Sequence, residues 1–264
     1  LMVRSQTKVN RNIIEAGRNL KIIGRAGVGV DNIDVNAATE KGIIVINSPD
    51  GNTIAASEHT IALMLAISRN IVPASQSTKE GKWNRDAFTG TELFGKTLGV
   101  MGFGRIGRKV VNIALSIGMK VIVYDPFANE ETVIKKGALY ETSLDNFLKT
   151  LDYLSIHIPK TADTINIINK ENINKMKKGA IIINCSRGGL VNENDLKEAL
   201  ENEQISAAAL DVYENEPKIE TCPLIHYNGN NIILTPHLGA STKEAQINVA
   251  LDVASQIKKV LSGG

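Results

Sequence analysis

The stretch that decides the fold is TLGVMGFGRIG, residues 97–107. It contains an apolar run, Thr97–Met101, followed by glycines at Gly102, Gly104 and Gly107 and then by a helical pattern. Glycines in this spacing allow a tight turn, bring backbone N–H groups against a pyrophosphate and let the helix pack closely on its strand. The stretch therefore predicts a strand, a turn and a helix that bind a dinucleotide.

The residues after the glycines strengthen this prediction and favour one dinucleotide. Apolar side chains that share one helical face follow the turn, namely Ile106, Val110, Ala114 and Ile117. A second apolar run, Lys120–Tyr124, then ends at Asp125. A carboxylate in this position accepts hydrogen bonds from ribose hydroxyls and repels a 2′-phosphate, and the next residues, Pro126 and Phe127, carry no positive charge. The segment therefore predicts NAD rather than NADP.

Composition excludes several kinds of partner. The 264 residues are 43% hydrophobic and carry a formal net charge of +2 without a block of like charges, so we expect a globular protein that does not bind nucleic acid. The two cysteines, Cys185 and Cys222, are too few for a disulfide framework and form no metal-binding cluster, which predicts no metal and a cytoplasmic location. The longest purely apolar stretch, 61–67, is too short to span a bilayer, and no signal segment begins the sequence, so we expect neither a membrane nor secretion.

Alternating apolar runs and helical patterns predict parallel sheets. Besides the two runs above, strands are predicted at 1–3, 21–23, 43–46, 153–158, 180–184, 207–210 and 232–234. Helices are predicted at 9–18, at 53–68, at 193–200 after an Asn192 cap, and at 243–260. The predicted fold class is α/β, with a Rossmann-type doubly wound parallel NAD domain at 49–237 and a smaller, incomplete flavodoxin-like α/β substrate domain formed by 1–48 and 238–264.

Charged residues beyond the strand ends are the candidates for catalysis, because ligands of open parallel sheets bind there. Arg187, Glu216 and His237 each follow one of the last three predicted strands. A guanidinium can hold a carboxylate in a bidentate pair, an imidazole can exchange a hydroxyl proton, and a carboxylate can raise the pKa of that imidazole. Taken singly, these residues also fit a surface charge, an acidic turn and a helix cap, and placement alone leaves both interpretations open.

Together these residues resemble the D-2-hydroxyacid dehydrogenase family, most closely its phosphoglycerate dehydrogenase branch. The likeness runs almost from end to end. It is carried by the glycines of residues 102–107 and by VRSQTK at 3–8, GRAGVGVDN at 24–32, NCSRGG at 184–189, ALDVY at 209–213 and PHLGAST at 236–242. Full members begin with strands and a helix that this sequence lacks, and many continue into C-terminal regulatory domains, so the resemblance implies a chain truncated at both ends with a whole NAD domain.

The resemblance implies a role for each candidate. Arg187 binds the substrate carboxylate, His237 is the general acid/base and Glu216 pairs with His237. The residues implied at the cofactor are Gly102, Gly104, Arg105, Ile106, Gly107, Asp125, Pro159, Thr164, Cys185, Ser186, Asp211 and Gly239. Those implied at the substrate are Arg4 and Arg25, whose charges suit a distal phosphate, and the backbone at Val28 and Gly29.

By this resemblance we expect the NAD-dependent oxidation of 3-phospho-D-glycerate to 3-phosphohydroxypyruvate, the first step of serine biosynthesis, with NAD binding less sensitive to truncation than turnover. Two alternatives stay open: a glyoxylate or hydroxypyruvate reductase, and an NAD-sensing, corepressor-like interaction protein. Members dimerise through the cofactor domain, which implies a homodimer or homotetramer with contacts near Lys82-Trp83-Asn84-Arg85 and the helix at 53–68. The other histidines, His59, His157 and His226, are expected to be structural or exposed.

Overall fold

The structure, a computed structural model, describes residues 1–262 and consists of two compact units. One unit contains Leu1–Ala55 and Ala240–Gly264, and the other contains Ala56–Gly239. The chain therefore leaves the first unit once and returns to it. The predicted division falls after residue 48 and after residue 237, and the assignment of one unit to the substrate and the other to NAD stays a prediction.

Strands and helices alternate along most of the chain. The strands are β1 Met2–Val3, β2 Ile22–Arg25, β3 Ile44–Asn47, β4 Thr97–Met101, β5 Lys120–Tyr124, β6 Leu139–Tyr140, β7 Tyr153–Ile156, β8 Ala180–Asn184, β9 Ile205–Leu210 and β10 Ile232–Leu234. The helices are α1 Arg11–Ala16, α2 Val35–Glu40, α3 Thr53–Ser68, α4 Ile71–Lys79, α5 Arg105–Ser116, α6 Glu130–Lys135, α7 Leu144–Thr150, α8 Lys170–Lys175, α9 Glu193–Glu201 and α10 Lys243–Leu261.

The smaller unit is built on a parallel sheet of three strands in the order β1-β2-β3. Val3, the last residue of β1, lies beside Arg25, the last residue of β2. Arg4 directly follows Val3, so Arg4 and Arg25 both lie at the carboxyl-terminal edge of the sheet. Helix α10 packs closely on β2 at Gly24. Only the absence of a side chain permits this approach, since a Cβ atom at Gly24 would collide with Val253. The buried apolar core of this unit includes Val9, Ile14, Ile23, Ile33, Ala37 and Ala38.

The larger unit is built on a parallel sheet of seven strands in the order β10-β9-β8-β7-β4-β5-β6. From β4 the chain adds strands first on one side and then on the other, with β5 and β7 as the two neighbours of β4. This is the doubly wound Rossmann arrangement, and the predicted fold class is confirmed. The strand order reverses beside the carboxyl end of β4, which is where such sheets bind ligands.

Apolar residues on both faces of this sheet explain why the strands are buried. All five residues of β8 and all four of β7 are buried, as expected for a parallel sheet covered by helices on both faces. On α5, Val110, Val111 and Ala114 are buried against the sheet, and Ile106 is half-buried. Ile117 lies just beyond the end of α5 and packs against the same core.

Several predicted elements have different bounds in the structure. The helix predicted at 9–18 is limited to α1, because the Asn10 side chain accepts a hydrogen bond from the N–H of Ile13 at 3.2 Å and Gly17 follows the last turn. The strand predicted at 153–158 ends at Ile156, three residues before Pro159, which has no N–H to donate. The strands predicted at 21–23, 43–46 and 207–210 correspond to β2, β3 and β9 with shifted bounds. The helices predicted at 193–200 and 243–260 correspond to α9 and α10, and each extends one residue further.

Among residues 1–262, no helix is long and apolar enough to cross a bilayer.

Candidate active site

Three neighbouring strands of the larger sheet end at the same level and bring the three candidate catalytic residues to one edge. The strand register pairs Asn184 with Leu210 and Leu210 with Leu234, the last residues of β8, β9 and β10. Arg187, Glu216 and His237 lie in the loops that leave these strand ends. The electrostatic influence of Arg187 opposes the protonation of His237, which is consistent with their shared edge.

His237 and Glu216 form a short hydrogen-bonded pair. His237 Nδ1 lies 2.6 Å from Glu216 Oε2, and Glu216 Oε1 accepts a hydrogen bond from the N–H of Tyr213 at 2.8 Å. The hydrogen bond that His237 donates to Glu216 is the largest influence on the pKa of His237 and raises it, whereas burial lowers this pKa by less. Because Nδ1 is occupied by Glu216, the other ring nitrogen, Nε2, is the one that can exchange a proton with a substrate.

The backbone of His237 adopts a left-handed conformation that few non-glycine residues take, with φ of +53°. Two hydrogen bonds hold it there, because the His237 N–H donates to the carbonyls of Asp211 and Thr235 at 2.9 and 3.0 Å. The next two N–H groups, of Leu238 and Gly239, donate to the carboxylate of Asp211 at 2.7 and 2.8 Å. The surroundings therefore determine the conformation of this loop, as strained backbone at functional sites requires.

Asp211 is a fully buried carboxylate. Besides the two N–H groups, Thr235 Oγ1 donates to its Oδ1 at 2.5 Å, and His59 Nε2 lies 3.2 Å from the same oxygen. Burial raises the pKa of Asp211, but these hydrogen bonds together outweigh burial and lower it. Asp211 is therefore an anion that organises the His237 loop from within the larger unit.

The Arg187 loop packs tightly against the turn that carries Glu216. A side chain at Gly188 would collide with the carbonyl of Tyr213, so only glycine allows this approach. Buried Asn184 fastens the loop, since its side-chain amide donates to the carbonyl of Arg187 at 2.9 Å and its Oδ1 accepts from the N–H of Ser186 at 3.1 Å. The guanidinium of Arg187 donates to the carbonyl of Ser186 at 2.7 Å.

A pocket of about 280 Å³ lies directly beside the His237–Glu216 pair. Its wall is mainly apolar and includes Ile219, Ile225 and Leu234. The imidazole is therefore bordered on one side by apolar groups rather than by competing hydrogen-bond donors.

The glycine loop has the form that a bound pyrophosphate needs. Gly102 has a φ of +99°, and a side chain there would lie 2.5 Å from the carbonyl of His157. A side chain at Gly107 would collide with the carbonyl of Gly102. A side chain at Gly104 would instead meet no protein atom within 4 Å. Gly102 and Gly107 are thus required by the fold, whereas Gly104 leaves room for a ligand at the N-terminus of α5, where Arg105 and Ile106 are the first residues.

Asp125 lies at the end of β5, and the loops around it hold its carboxylate in place. Its Oδ2 accepts a hydrogen bond from the N–H of Phe103 at 2.7 Å, and its Oδ1 accepts from the N–H of Phe127 at 2.9 Å. The hydroxyl of Tyr140 donates to its carbonyl at 2.9 Å. Each carboxylate oxygen keeps a lone pair for a ribose hydroxyl, so the residues present fit NAD.

Other predicted cofactor residues lie in loops after β7 and β8. Thr164 Oγ1 donates to the carbonyl of Pro159 and accepts from the N–H of Thr161, both at 2.7 Å, which closes a turn. Burial raises the pKa of the Cys185 thiol to about 12, so this cysteine is a neutral group and no nucleophile. Whether these residues, Ser186, Asp211 and Gly239 contact NAD stays a prediction.

The predicted substrate residues belong to the smaller unit. Arg4 is exposed after β1, and Arg25 is half-buried at the end of β2, where its guanidinium lies over Gly27. The loop that contains Val28 and Gly29 is fastened by Asn47, whose side-chain amide donates to the carbonyl of Val28 at 2.5 Å. Their roles in substrate binding stay predictions.

Sequence reasoning missed two groups at the site. One is Asn184, whose side chain holds the Arg187 loop. The signal in the sequence that could have identified it is an amide residue at the end of an otherwise apolar strand. The sequence predicts a structural role for His59 but not its partner, because His59 contacts Asp211 across the fold and no local pattern reveals that contact. His157 is half-buried, and desolvation of its ring lowers its pKa to about 4, so it is a neutral group whose Nε2 lies 2.8 Å from Ser155 Oγ. Within residues 1–262, no cluster of three or more acidic, histidine or cysteine side chains could hold a metal ion.

The sequence matches the family model "D-isomer specific 2-hydroxyacid dehydrogenase, NAD binding domain" over residues 61–239. It is 55% identical to a D-3-phosphoglycerate dehydrogenase of Synechocystis over 263 residues, which are 100% of this chain and 47% of that protein. It is 48% identical to a hydroxypyruvate reductase of Thermotoga maritima over 261 residues, which are 99% of this chain and 84% of that protein. The chain thus spans about half the length of the D-3-phosphoglycerate dehydrogenase.

A solved structure also matches both units. The D-lactate dehydrogenase of Aquifex aeolicus, complexed with NAD and lactic acid, has a TM-score of 0.89 and 31% sequence identity and covers 99% of this chain and 82% of its own.

Proposed function

Because the chain belongs to the D-isomer-specific 2-hydroxyacid dehydrogenase family and contains its NAD-binding domain, we propose that it interconverts a D-2-hydroxy acid and the corresponding 2-keto acid with His237 as the acid/base. The observation that carries this proposal is the 2.6 Å pair of His237 and Glu216 on the sheet edge that also holds Arg187. The three groups supply a proton acceptor, its counter-charge and a clamp for a carboxylate.

The proposed reaction assigns one task to each residue. Arg187 holds the substrate carboxylate in a bidentate pair and so orients the neighbouring carbon. In oxidation, the Nε2 atom of neutral His237 accepts the proton of the 2-hydroxyl group, and Glu216 stabilises the imidazolium that results. In reduction, the imidazolium returns that proton. NAD, when bound at Gly102, Gly104, Gly107 and Asp125, supplies the hydride chemistry.

The substrate that we propose is 3-phospho-D-glycerate, with 3-phosphohydroxypyruvate as its product in serine biosynthesis. This proposal is supported by the named relatives and by two cations, Arg4 and Arg25, at one edge of the smaller sheet. A phosphate dianion is well matched to paired guanidinium groups. A second candidate is hydroxypyruvate or glyoxylate reduction, favoured by the Thermotoga maritima relative, because the chain covers more of that protein's length.

A spectrophotometric assay of NADH formation tests the substrate. We expect 3-phospho-D-glycerate to be oxidised with a higher kcat/KM than D-glycerate. Arg4→Ala and Arg25→Ala should each raise the KM for the phosphorylated substrate by about tenfold or more and change the constants for D-glycerate little, because each removes a charge-assisted hydrogen bond to phosphate. Arg18→Ala is the matched control, since Arg18 is an exposed arginine of the same unit.

Two results would contradict this assignment. Equal losses on both substrates would remove the two arginines from phosphate recognition, and a higher kcat/KM for D-glycerate, or for the reduction of hydroxypyruvate, would favour the second candidate. A chain that binds NADH, turns over no 2-hydroxy acid and binds a protein partner only with NADH would indicate the interaction protein instead.

A further inference from the structure

The side chain of His59, on helix α3, contacts the catalytic edge of the sheet. Its Nε2 lies 3.2 Å from Asp211 Oδ1 and 3.3 Å from Thr235 Oγ1. Thr235 uses its hydroxyl hydrogen to donate to Asp211, so its oxygen is an acceptor toward His59. Both neighbours of Nε2 are thus acceptors, and Nε2 carries the hydrogen that it shares with them. The side chain of His59 is one-fifth exposed, so this contact is largely sheltered from water.

The partners of Asp211 show why this contact matters. Three of its four described donors, Thr235 Oγ1 and the N–H groups of Leu238 and Gly239, belong to the loop that carries His237. The fourth donor, His59, is on a helix that precedes this loop by more than 170 residues. The carboxylate is therefore a junction between α3 and the His237 loop, and His59 fixes its position from outside the loop.

The strained backbone of His237 makes the position of this carboxylate critical. A left-handed conformation at a non-glycine residue persists only where the surroundings over-determine it. The two N–H groups that follow His237 both bond to Asp211, so a displaced or rotated carboxylate would release them. The His237 ring would then lose its fixed direction relative to Glu216 and to the substrate.

We infer that His59 is a positioning residue for the acid/base reaction, which acts through Asp211 to hold the His237 loop in its productive conformation. This inference rests on the proposed function for its catalytic consequence. Its structural part, the control of the Leu238 and Gly239 hydrogen bonds by His59, does not depend on turnover.

The test compares two substitutions of His59. His59→Met removes the donor and keeps a side chain of similar length, whereas His59→Gln places an amide N–H donor near the same point. Glu58→Gln is the matched control, because Glu58 is the exposed neighbour on the same helix. Three quantities are measured on the full chain: kcat and KM for the hydroxy acid, the dissociation constant of NADH, and the exchange rates of the Leu238 and Gly239 amide hydrogens by NMR.

We expect His59→Met to lower kcat about tenfold, since it removes one hydrogen bond to a charged group, and to change KM and the NADH dissociation constant by less than about threefold. Exchange of the two amide hydrogens should become faster. His59→Gln should recover most of the lost kcat and the slow exchange, and Glu58→Gln should match the wild type. In a His237→Ala background, His59→Met should cause no further loss of kcat, because the two residues act on one step.

Three outcomes overturn the inference: unchanged kcat and amide exchange in folded His59→Met, equal losses in the Gln and Met variants, or a full additional loss of kcat in the His237→Ala background. If His59→Met does not fold, His59→Asn replaces it, since its amide is too short to reach Asp211. If the wild type turns over no 2-hydroxy acid, the proposed function fails, while the amide exchange rates still decide whether His59 controls the loop.

Discussion

At the scale of single residues, the pair of His237 and Glu216 determines how the reaction depends on pH. The hydrogen bond that His237 donates to Glu216 is the main cause of the raised pKa of His237, so Glu216→Gln should lower that pKa. Oxidation needs the neutral imidazole, and its kcat/KM should therefore begin to rise at a lower pH in the variant. Reduction needs the imidazolium, and its alkaline limb should also move to lower pH. Profiles of kcat/KM against pH in both directions measure these shifts.

Glu214→Gln is the control for this prediction, because Glu214 is an exposed carboxylate of the same turn. It should leave both limbs in place. Stability gives a second measurement: a raised pKa in the folded state stabilises the protein below the ordinary histidine pKa of about 6.5, and the effect is lost as the pH rises through the raised value. In urea unfolding, the difference in the free energy of unfolding between wild type and Glu216→Gln should therefore be larger near pH 6 than at a pH above the raised pKa of His237. An equal difference at all pH values would contradict Glu216 as the cause of the raised pKa.

The sequence predicted which residues reach this edge but not how they are held there. Arg187, Glu216 and His237 follow three apolar runs, and parallel strands bring such positions together. The left-handed backbone of His237 lies in a loop that is held by hydrogen bonds to Asp211, and Asp211 precedes this loop by more than twenty positions. Local patterns carry no information on these contacts, and the contact of His59 with Asp211 is still more remote in sequence.

At the scale of elements, the turn between β4 and α5 contains glycines with two different tasks. Gly107→Ala should lower the free energy of unfolding by about 1–3 kcal/mol, because the added methyl group overlaps the carbonyl of Gly102. Gly104→Ala should lower it by less than about 1 kcal/mol, since a side chain meets open space and only the helix cap weakens. If a pyrophosphate binds there, Gly104→Ala should nevertheless weaken NADH binding about tenfold or more.

Urea unfolding and NADH titration of the two variants separate the tasks, and each variant is the control for the other. A stable Gly104→Ala protein that binds NADH as tightly as the wild type would contradict the placement of the pyrophosphate at this turn. The sequence predicted the elements themselves well here, because β4 and β5 have the expected bounds. It did not predict β6, a strand of two residues, or short helices such as α7, since neither is long enough for a clear period.

At the scale of the whole molecule, large apolar side chains are exposed between α3 and β4. Trp83 is 85% exposed and Phe94 is 75% exposed, and Ile71 and Val72 on α4 are each 52% exposed. Large apolar side chains with this much exposure are candidates for an interaction surface. The segment Lys82-Trp83-Asn84-Arg85 is where the resemblance implied a contact between two copies, and self-association through this surface remains our proposal.

Sedimentation equilibrium tests self-association directly, with a dimer of the 28.5 kDa chain as the expected species at micromolar concentration. Trp83→Lys should weaken the dimer about thirtyfold or more, because buried tryptophans contribute about 2 kcal/mol or more to interfaces. Leu139→Lys is the control, since Leu139 is an exposed apolar residue on the edge strand β6.

Fluorescence gives a second measurement, because Trp83 is the only tryptophan in the sequence. Dilution should dissociate the dimer, expose Trp83 to water and shift its emission to longer wavelength. A monomer whose emission maximum does not change with concentration would exclude this surface as the dimer contact. Equal weakening of the dimer by Trp83→Lys and Leu139→Lys would show that the added charge, rather than the loss of Trp83, opposes association.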